Sequence, residues 1–119
     1  MTTQTPNNAA TNYPPPSDID KIIHEPARLM IVANLYVVES ADFTFLMNQT
    51  GLTWGNISSH LSKLEKAGYV QVEKTFVGKR PYTLLHLTPE GREAFEMYRV
   101  QMQQLLGNGD GSVNEPEDE

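Results

Sequence analysis

Asn56, Ser59, Lys63 and Lys66 follow one another at spacings of +3, +4 and +3. At helical pitch that spacing puts an amide, a hydroxyl and two ammonium groups on one face, joined by Gly55. These groups donate and accept hydrogen bonds and neutralise phosphates, which is the chemistry of contact with DNA base edges and backbone in a major groove. Ile57, Leu61 and Leu64, at i, i+4 and i+7, make the opposite, apolar stripe. The one acid within this stretch, Glu65, belongs near the buried edge. Thr53 is the expected N-cap, its hydroxyl accepting a free backbone N–H, and Gly68 the expected left-handed residue past the end. An ordinary amphipathic helix with a solvated face fits the same residues, so what flanks the helix has to decide.

The preceding segment supplies a helix and a turn. Asp42 is placed to cap FTFLMNQT, with Phe43 and Leu46 pointing inward. Gly51 suits a tight turn, and Leu52 an apolar plug beneath it. Helix, glycine turn and a capped helix with a polar face make up a helix-turn-helix. After Gly68 the period switches to two: Val70 and Val72 alternate with Gln71 and Glu73. A loop VGKRP and a return strand YTLLHL complete a β-hairpin with Lys79 and Arg80 at its tip. Two cations there stand where a wing would meet DNA; a plain hairpin with solvated charges is the alternative.

Charge distribution agrees with a polyanionic partner, although the net charge of the 119 residues is −6. Five of the fifteen acids (Asp110, Glu115, Glu117, Asp118, Glu119) lie in the tail. Between Thr53 and Arg92 there are six bases against three acids. Local field rather than total charge steers a polyanion.

The elements that must hold this surface are legible on either side. Residues 1–16 are polar and end in Pro14, Pro15 and Pro16, a disordered arm stiffening into polyproline II. Ser17 caps an expected short helical segment, DIDKII. Pro26 breaks it and starts the next helix, Pro26 to Val38, at a position proline tolerates. LMIVANLYVV within that helix has Asn34 as its one polar residue, so the helix is either buried on all sides or meets a second subunit. Thr88, Pro89 and Glu90 open a last helix, in which Phe95, Tyr98, Met102 and Leu105 form an a/d-type seam. The seam packs on its own domain or in a dimer contact. The dimer reading draws on Leu29, Ile31 and Leu35 of the Pro26 helix with Phe95, Tyr98, Met102 and Leu105. GNGDGSVNEPEDE is an acidic end, solubilising or screening. The expected organisation is therefore a disordered arm over 1–16, one folded domain over 17–106 and a disordered acidic tail over 107–119.

Other chemistry finds little support. There is no cysteine, so disulfides, thiolate metal sites and cysteine nucleophiles are excluded. His24, His60 and His86 lie on separate elements with no metal spacing. No glycine-rich phosphate loop and no G-x-S-x-G elbow occurs, and nothing sets a nucleophile beside a base. No enzyme activity, cofactor or metal is expected. The N-terminus lacks a basic region and apolar core, and the longest apolar run is shorter than the roughly 20 residues a membrane span needs, so a cytoplasmic protein is expected.

Taken together, IHEPARLMI, FTFLMNQTGLTWGNISSHLSKLEKAGYV, VEKTFVGKRPYT and LTPEGREAF resemble the MarR-type winged-helix transcriptional regulators, in the compact single-domain version found in bacteria and archaea. The likeness spans roughly residues 19–100. It implies an α+β winged helix-turn-helix of four to five helices with a β-hairpin wing. It also implies a homodimer on a pseudo-palindromic double-stranded DNA operator. By position, Thr53, Asn56, Ser59, His60 and Lys63 would face DNA, with Lys79 and Arg80 as the wing cations. Lys66 joins them from the helix face. Trp54 departs from the small, polar or charged residue expected at its position; it either packs on the hairpin or stacks on a sugar. The first and last helices of full-length members are shortened here, which argues against a ligand pocket between subunits and leaves any small-molecule effector unknown. Repression is the expected role, and the rival reading is a winged-helix protein-interaction adaptor that does not bind DNA.

Overall fold

A computed structural model describes residues 18–110. The expected N-terminal arm and most of the acidic tail lie outside the described residues. The chain divides into two compact units, Asp20–Tyr98 and the flanking segments Met1–Ile19 with Arg99–Glu119.

Within Asp20–Tyr98 the elements run α1 (Pro26–Val37), α2 (Phe43–Thr50), α3 (Trp54–Lys66), β1 (Val70–Val77), β2 (Arg80–Leu87) and the start of α4 (Pro89–Asp110). The class is α+β, with four helices and one antiparallel hairpin among the described residues. The short helix expected over DIDKII is instead a turn. Asp20 Oδ1 accepts the Ile22 N–H at 2.8 Å and the Ile23 N–H at 3.1 Å. An aspartate side chain that captures nearby N–H groups offers the backbone an alternative to helix, and here that alternative prevails. The turn delivers Ile23, fully buried, into the core.

Pro26 occupies the first turn of α1, and the Glu25 carboxylate caps it by accepting the Arg28 N–H at 2.8 Å. Ala27, Ile31, Val32 and Leu35 are buried, while Met30 and Val37 are exposed. The helix is thus central but not enclosed on every side. Asp42 caps α2 by accepting the Phe45 N–H at 2.8 Å. Gly51 ends that helix in the left-handed region at φ 75°, where a side chain would be strained. Leu46 is fully buried; Phe43, expected inward as well, is half-buried. Thr53 Oγ1 accepts the Asn56 N–H at 3.1 Å and starts α3. Beyond Ala67 the Gly68 N–H donates to Glu65 O and the Tyr69 N–H to Leu64 O, which satisfies the last carbonyls.

The hairpin runs in register from Val70↔Leu87 to Val77↔Arg80. Its strands are longer than the alternation suggests: Arg80 and Pro81 already belong to β2, and only Gly78 and Lys79 make the turn. Pro81 is tolerated because it lies at the start of an edge strand. Leu85 also pairs with Ala41, exchanging N–H···O bonds of 2.8 and 3.0 Å, a single third rung beside β2. Thr88 then caps α4, accepting the Gly91 N–H at 2.9 Å and donating its hydroxyl proton to Gly68 O at 2.6 Å. Here glycine is required by space: a Cβ on Gly91 would lie 2.2 Å from Tyr69 O.

Ile23, Ile31, Leu35, Leu46, Ile57, Leu64 and Leu85 are the largest fully buried side chains, each at most 1% exposed. Cutting any one of the leucines to alanine costs about 2–5 kcal/mol. In the second unit, α4 continues to Asp110, through residues assigned from sequence to the tail. Gly107 and Gly109 weaken a helix but, unlike proline, remove no N–H donor.

Candidate nucleic-acid interface

The two faces of α3 separate as the spacing requires. Ile57, Leu61 and Leu64 are at most 3% exposed, whereas Gly55, Asn56, Ser59, Lys63 and Lys66 all lie on the surface. Glu65 is exposed too, but on the side turned toward the hairpin, away from Asn56, Ser59 and Lys63. The outward face therefore carries amide, hydroxyl and ammonium groups without a carboxylate. Thr53 is exposed, its hydroxyl oxygen engaged by the Asn56 N–H.

His60 is placed differently from the other candidates. Its ring is half-buried, with Nδ1 3.3 Å from an Arg28 guanidinium nitrogen and 3.8 Å from Glu25 Oε1. The side chain thus leans on the N-terminus of α1. The Arg28 N–H, followed by the nearby His60 and Arg28 charges, holds the Glu25 carboxyl below its ordinary value despite the opposing effect of burial.

Lys79 and Arg80 are exposed at the hairpin turn, and Lys74 is exposed farther along β1. Two contacts fix the hairpin against the helices. The Tyr82 hydroxyl donates to Asp42 Oδ2 at 2.8 Å, tying β2 to the cap of α2. His86 sits 3.0 Å from Glu73 Oε1 and 3.2 Å from the Glu39 carbonyl. The Phe45 N–H and then the Tyr82 hydroxyl hold the Asp42 carboxyl low, and the same bond raises the Tyr82 phenol.

Trp54 has its ring partner in α2. Its ring stacks on Phe43 of α2, centroids 5.2 Å apart at 26°, and remains 58% exposed. The pair forms one wall of a cleft of about 530 Å³ between α3 and the hairpin, with Ser58, Leu61, Val72 and Leu85 behind it. None of Glu25, Tyr82 or Phe43 was visible from sequence as a positioning residue. Glu25 caps from just before a proline, and the partners of Tyr82 and Phe43 are long-range.

Four of the residues considered for a dimer contact, Ile31, Leu35, Phe95 and Tyr98, are buried in this single chain. Phe95 and Tyr98 face α1 and the turn before it: Phe95 packs on Tyr36 at 5.0 Å, and the Tyr98 hydroxyl lies 2.8 Å from His24 Nδ1. Leu29 and Met102 are half-buried, Leu105 is 38% exposed, and Val100 and Leu106 are exposed as well. Among the described residues no three His, Asp or Glu side chains come together as a metal site, and no helix is long and apolar enough to cross a membrane.

Residues 27–106 match the family described as winged helix DNA-binding domain. The chain belongs to that family. In this winged helix, α2 and α3 form the helix-turn-helix and β1–β2 the wing. The sequence is 38% identical over 88 residues to uncharacterized protein MJ0432 of Methanocaldococcus jannaschii, covering 74% of this chain and 96% of that one. The transcriptional regulator homologue protein from Pyrococcus horikoshii OT3 superposes with a TM-score of 0.70 at 29% identity, over 75% of this chain and 88% of that one. A MarR-family transcriptional regulator from Silicibacter pomeroyi shares the fold, with a TM-score of 0.62 at 17% identity over 82% of this chain and 65% of that one. The fold is the one that MarR-family structures share, and the family is that of a winged helix DNA-binding domain.

Proposed function

We propose that this winged helix binds a specific double-stranded DNA operator as a homodimer and represses transcription there, in the cytoplasm. The observation that carries the reading is the outward face of α3, free of carboxylates, beside a wing tip that exposes Lys79 and Arg80. Asn56 and Ser59 read base edges in the major groove, Thr53 contributes at the helix start, and Lys63, Lys66, Lys79 and Arg80 meet phosphates. His60, leaning on Glu25 and Arg28, acts at most at the edge of this surface. Four phosphate contacts per subunit correspond to a salt slope of about −3.6 per subunit.

For the homodimer the support is the C-terminal part of α4, where Val100, Leu105 and Leu106 are exposed among the described residues. Exposed apolar side chains on a helix are a surface that a partner can cover.

Hydroxyl-radical footprinting on fragments selected from genomic DNA tests the reading. Two protected segments on one face of the duplex, roughly 10 bp between centres, are expected from two copies of α3 in successive major grooves. A single asymmetric footprint, or none, contradicts the dimeric arrangement.

A further inference from the structure

The wing tip exposes more than cations. Phe76 is 67% and Val77 61% exposed, the largest apolar exposure on the hairpin. Side chains alternate across a strand, and cross-strand partners share a face. Val70, Val72, Lys74 and Phe76 therefore share one face of β1, opposite Leu87, Leu85, Thr83 and Pro81 of β2. At its base this face is core, with Val70 and Leu85 buried. Farther out Val72, Lys74, Thr83 and Leu85 line the cleft against α3. At the tip the same face ends in Phe76 and Pro81, with nothing beyond them.

An exposed phenyl is unfavourable in water unless something covers it. Charge restricts what that is. From Lys74 to Pro81 there are three cations, Lys74, Lys79 and Arg80, and no acid. The nearest acid in sequence, Glu73, lies on the other face of β1 and is engaged by His86 at 3.0 Å, while Glu65 of α3 lines the inner cleft with Lys74. An apolar ring framed by cations fits a polyanion that presents apolar surface between its charges. Stacked bases between two phosphate backbones do so.

We propose that Phe76 is an apolar wedge of the wing, entering the minor groove of the DNA that flanks the segment read by α3 and partly unstacking one base step there. The inference rests on the DNA-binding reading above. Minor-groove proteins use apolar side chains in this way, and the kink is easiest at pyrimidine–purine steps. Phe76 thus adds specificity through deformability, at a base step with which the wing makes no hydrogen bond. Lys79 and Arg80 hold the backbones on either side and carry no sequence preference.

The test is selection from a random duplex pool by the full chain, by Phe76→Ala, by Phe76→Leu and by Lys79→Ala. The wild type is expected to enrich a core sequence together with a TA or CA step at a fixed distance outside it. Phe76→Ala is expected to keep the core and lose that flanking preference roughly ten-fold, comparable to one mismatched base pair. Phe76→Leu is expected to keep both, and Lys79→Ala to bind more weakly with the flanking preference intact. A 2-aminopurine at the flanking step should brighten when the wild type binds and stay dim with Phe76→Ala. An unchanged flanking preference in Phe76→Ala overturns the proposal, as does a change in oligomeric state on that substitution, which would make the ring a protein contact. Failure of the wild type to enrich any core removes the DNA-binding reading itself, and the wedge with it.

Discussion

The Tyr82 hydroxyl donates to one oxygen of Asp42 at 2.8 Å, and the Phe45 N–H donates to the other at the same distance. One carboxylate therefore starts α2 and anchors the wing.

Asp42→Ala should lose both contacts and destabilise the domain by about 1–2 kcal/mol, the range for an N-cap. Tyr82→Phe leaves the cap in place and should cost less than half as much. Urea denaturation of both variants checks this. The two contacts also hold the Asp42 carboxyl below its ordinary value of 3.8, so its stabilisation is present above that pH and lost as pH falls through the lower folded value. The stability gap between wild type and Asp42→Ala should accordingly close on acidification below 3.8. A gap that stayed constant down to the acid transition would mean that the carboxylate charge is irrelevant.

Tyr69 gives the opposite pH dependence. Burial, and then its hydrogen bond to Asp20, push the phenol up to about 12. A raised value means that the folded state holds its proton more tightly, so the stabilisation is complete below the ordinary value of 10 and disappears as pH rises through about 12. Tyr69→Phe should be less stable than wild type at pH 8 and nearly equal to it near pH 12, as measured by urea midpoints.

Gly91 and Gly55 should respond oppositely to alanine. A Cβ at Gly91 meets the Tyr69 carbonyl oxygen at 2.2 Å and its carbon at 2.9 Å, both backbone atoms that cannot swing away. Gly91→Ala should cost about 1–3 kcal/mol as α4 is forced off the hairpin. Gly55 is exposed within α3 and has nothing within 4 Å of a Cβ, so Gly55→Ala should gain up to about 1 kcal/mol. Thermal melts of the two variants decide the matter.

Reading and anchoring should separate by mutation. Asn56→Ala should flatten base preference, at about 1–3 kcal/mol for the base pair it reads, while leaving most non-specific affinity. Lys79→Ala with Arg80→Ala should weaken all duplexes alike and reduce the salt slope by about 2 per subunit. If Asn56→Ala left the selected sequence unchanged, the proposed docking of α3 would be wrong.

How much of this was legible depended on whether the signal was local. Thr53, Asp42, Gly51 and Gly68 mark helix ends through contacts to neighbouring N–H or C=O groups, and each does what its type implies. The stripe Ile57, Leu61, Leu64 needs only the helical period. Asp20 misled because its side chain competes locally with the helix that DIDKII otherwise favours. The seam from Phe95 to Leu105 is periodic, but periodicity cannot say which partner covers it; Phe95 and Tyr98 are covered within the chain. Tyr82 to Asp42, Phe43 to Trp54 and Glu25 to His60 join residues that only the fold brings together. Nothing local in the sequence marks Phe76 as exposed, because exposure on a strand depends on what the fold packs against it.

The central claim is that α3 and the wing recognise a specific duplex. Fluorescence anisotropy tests it most directly, with one labelled duplex from the region upstream of this protein's own gene and a scrambled duplex of equal length, each at low and moderate salt. The account predicts tight binding to the first that survives moderate salt and weak, salt-sensitive binding to the second. No binding to either duplex at low salt would contradict it.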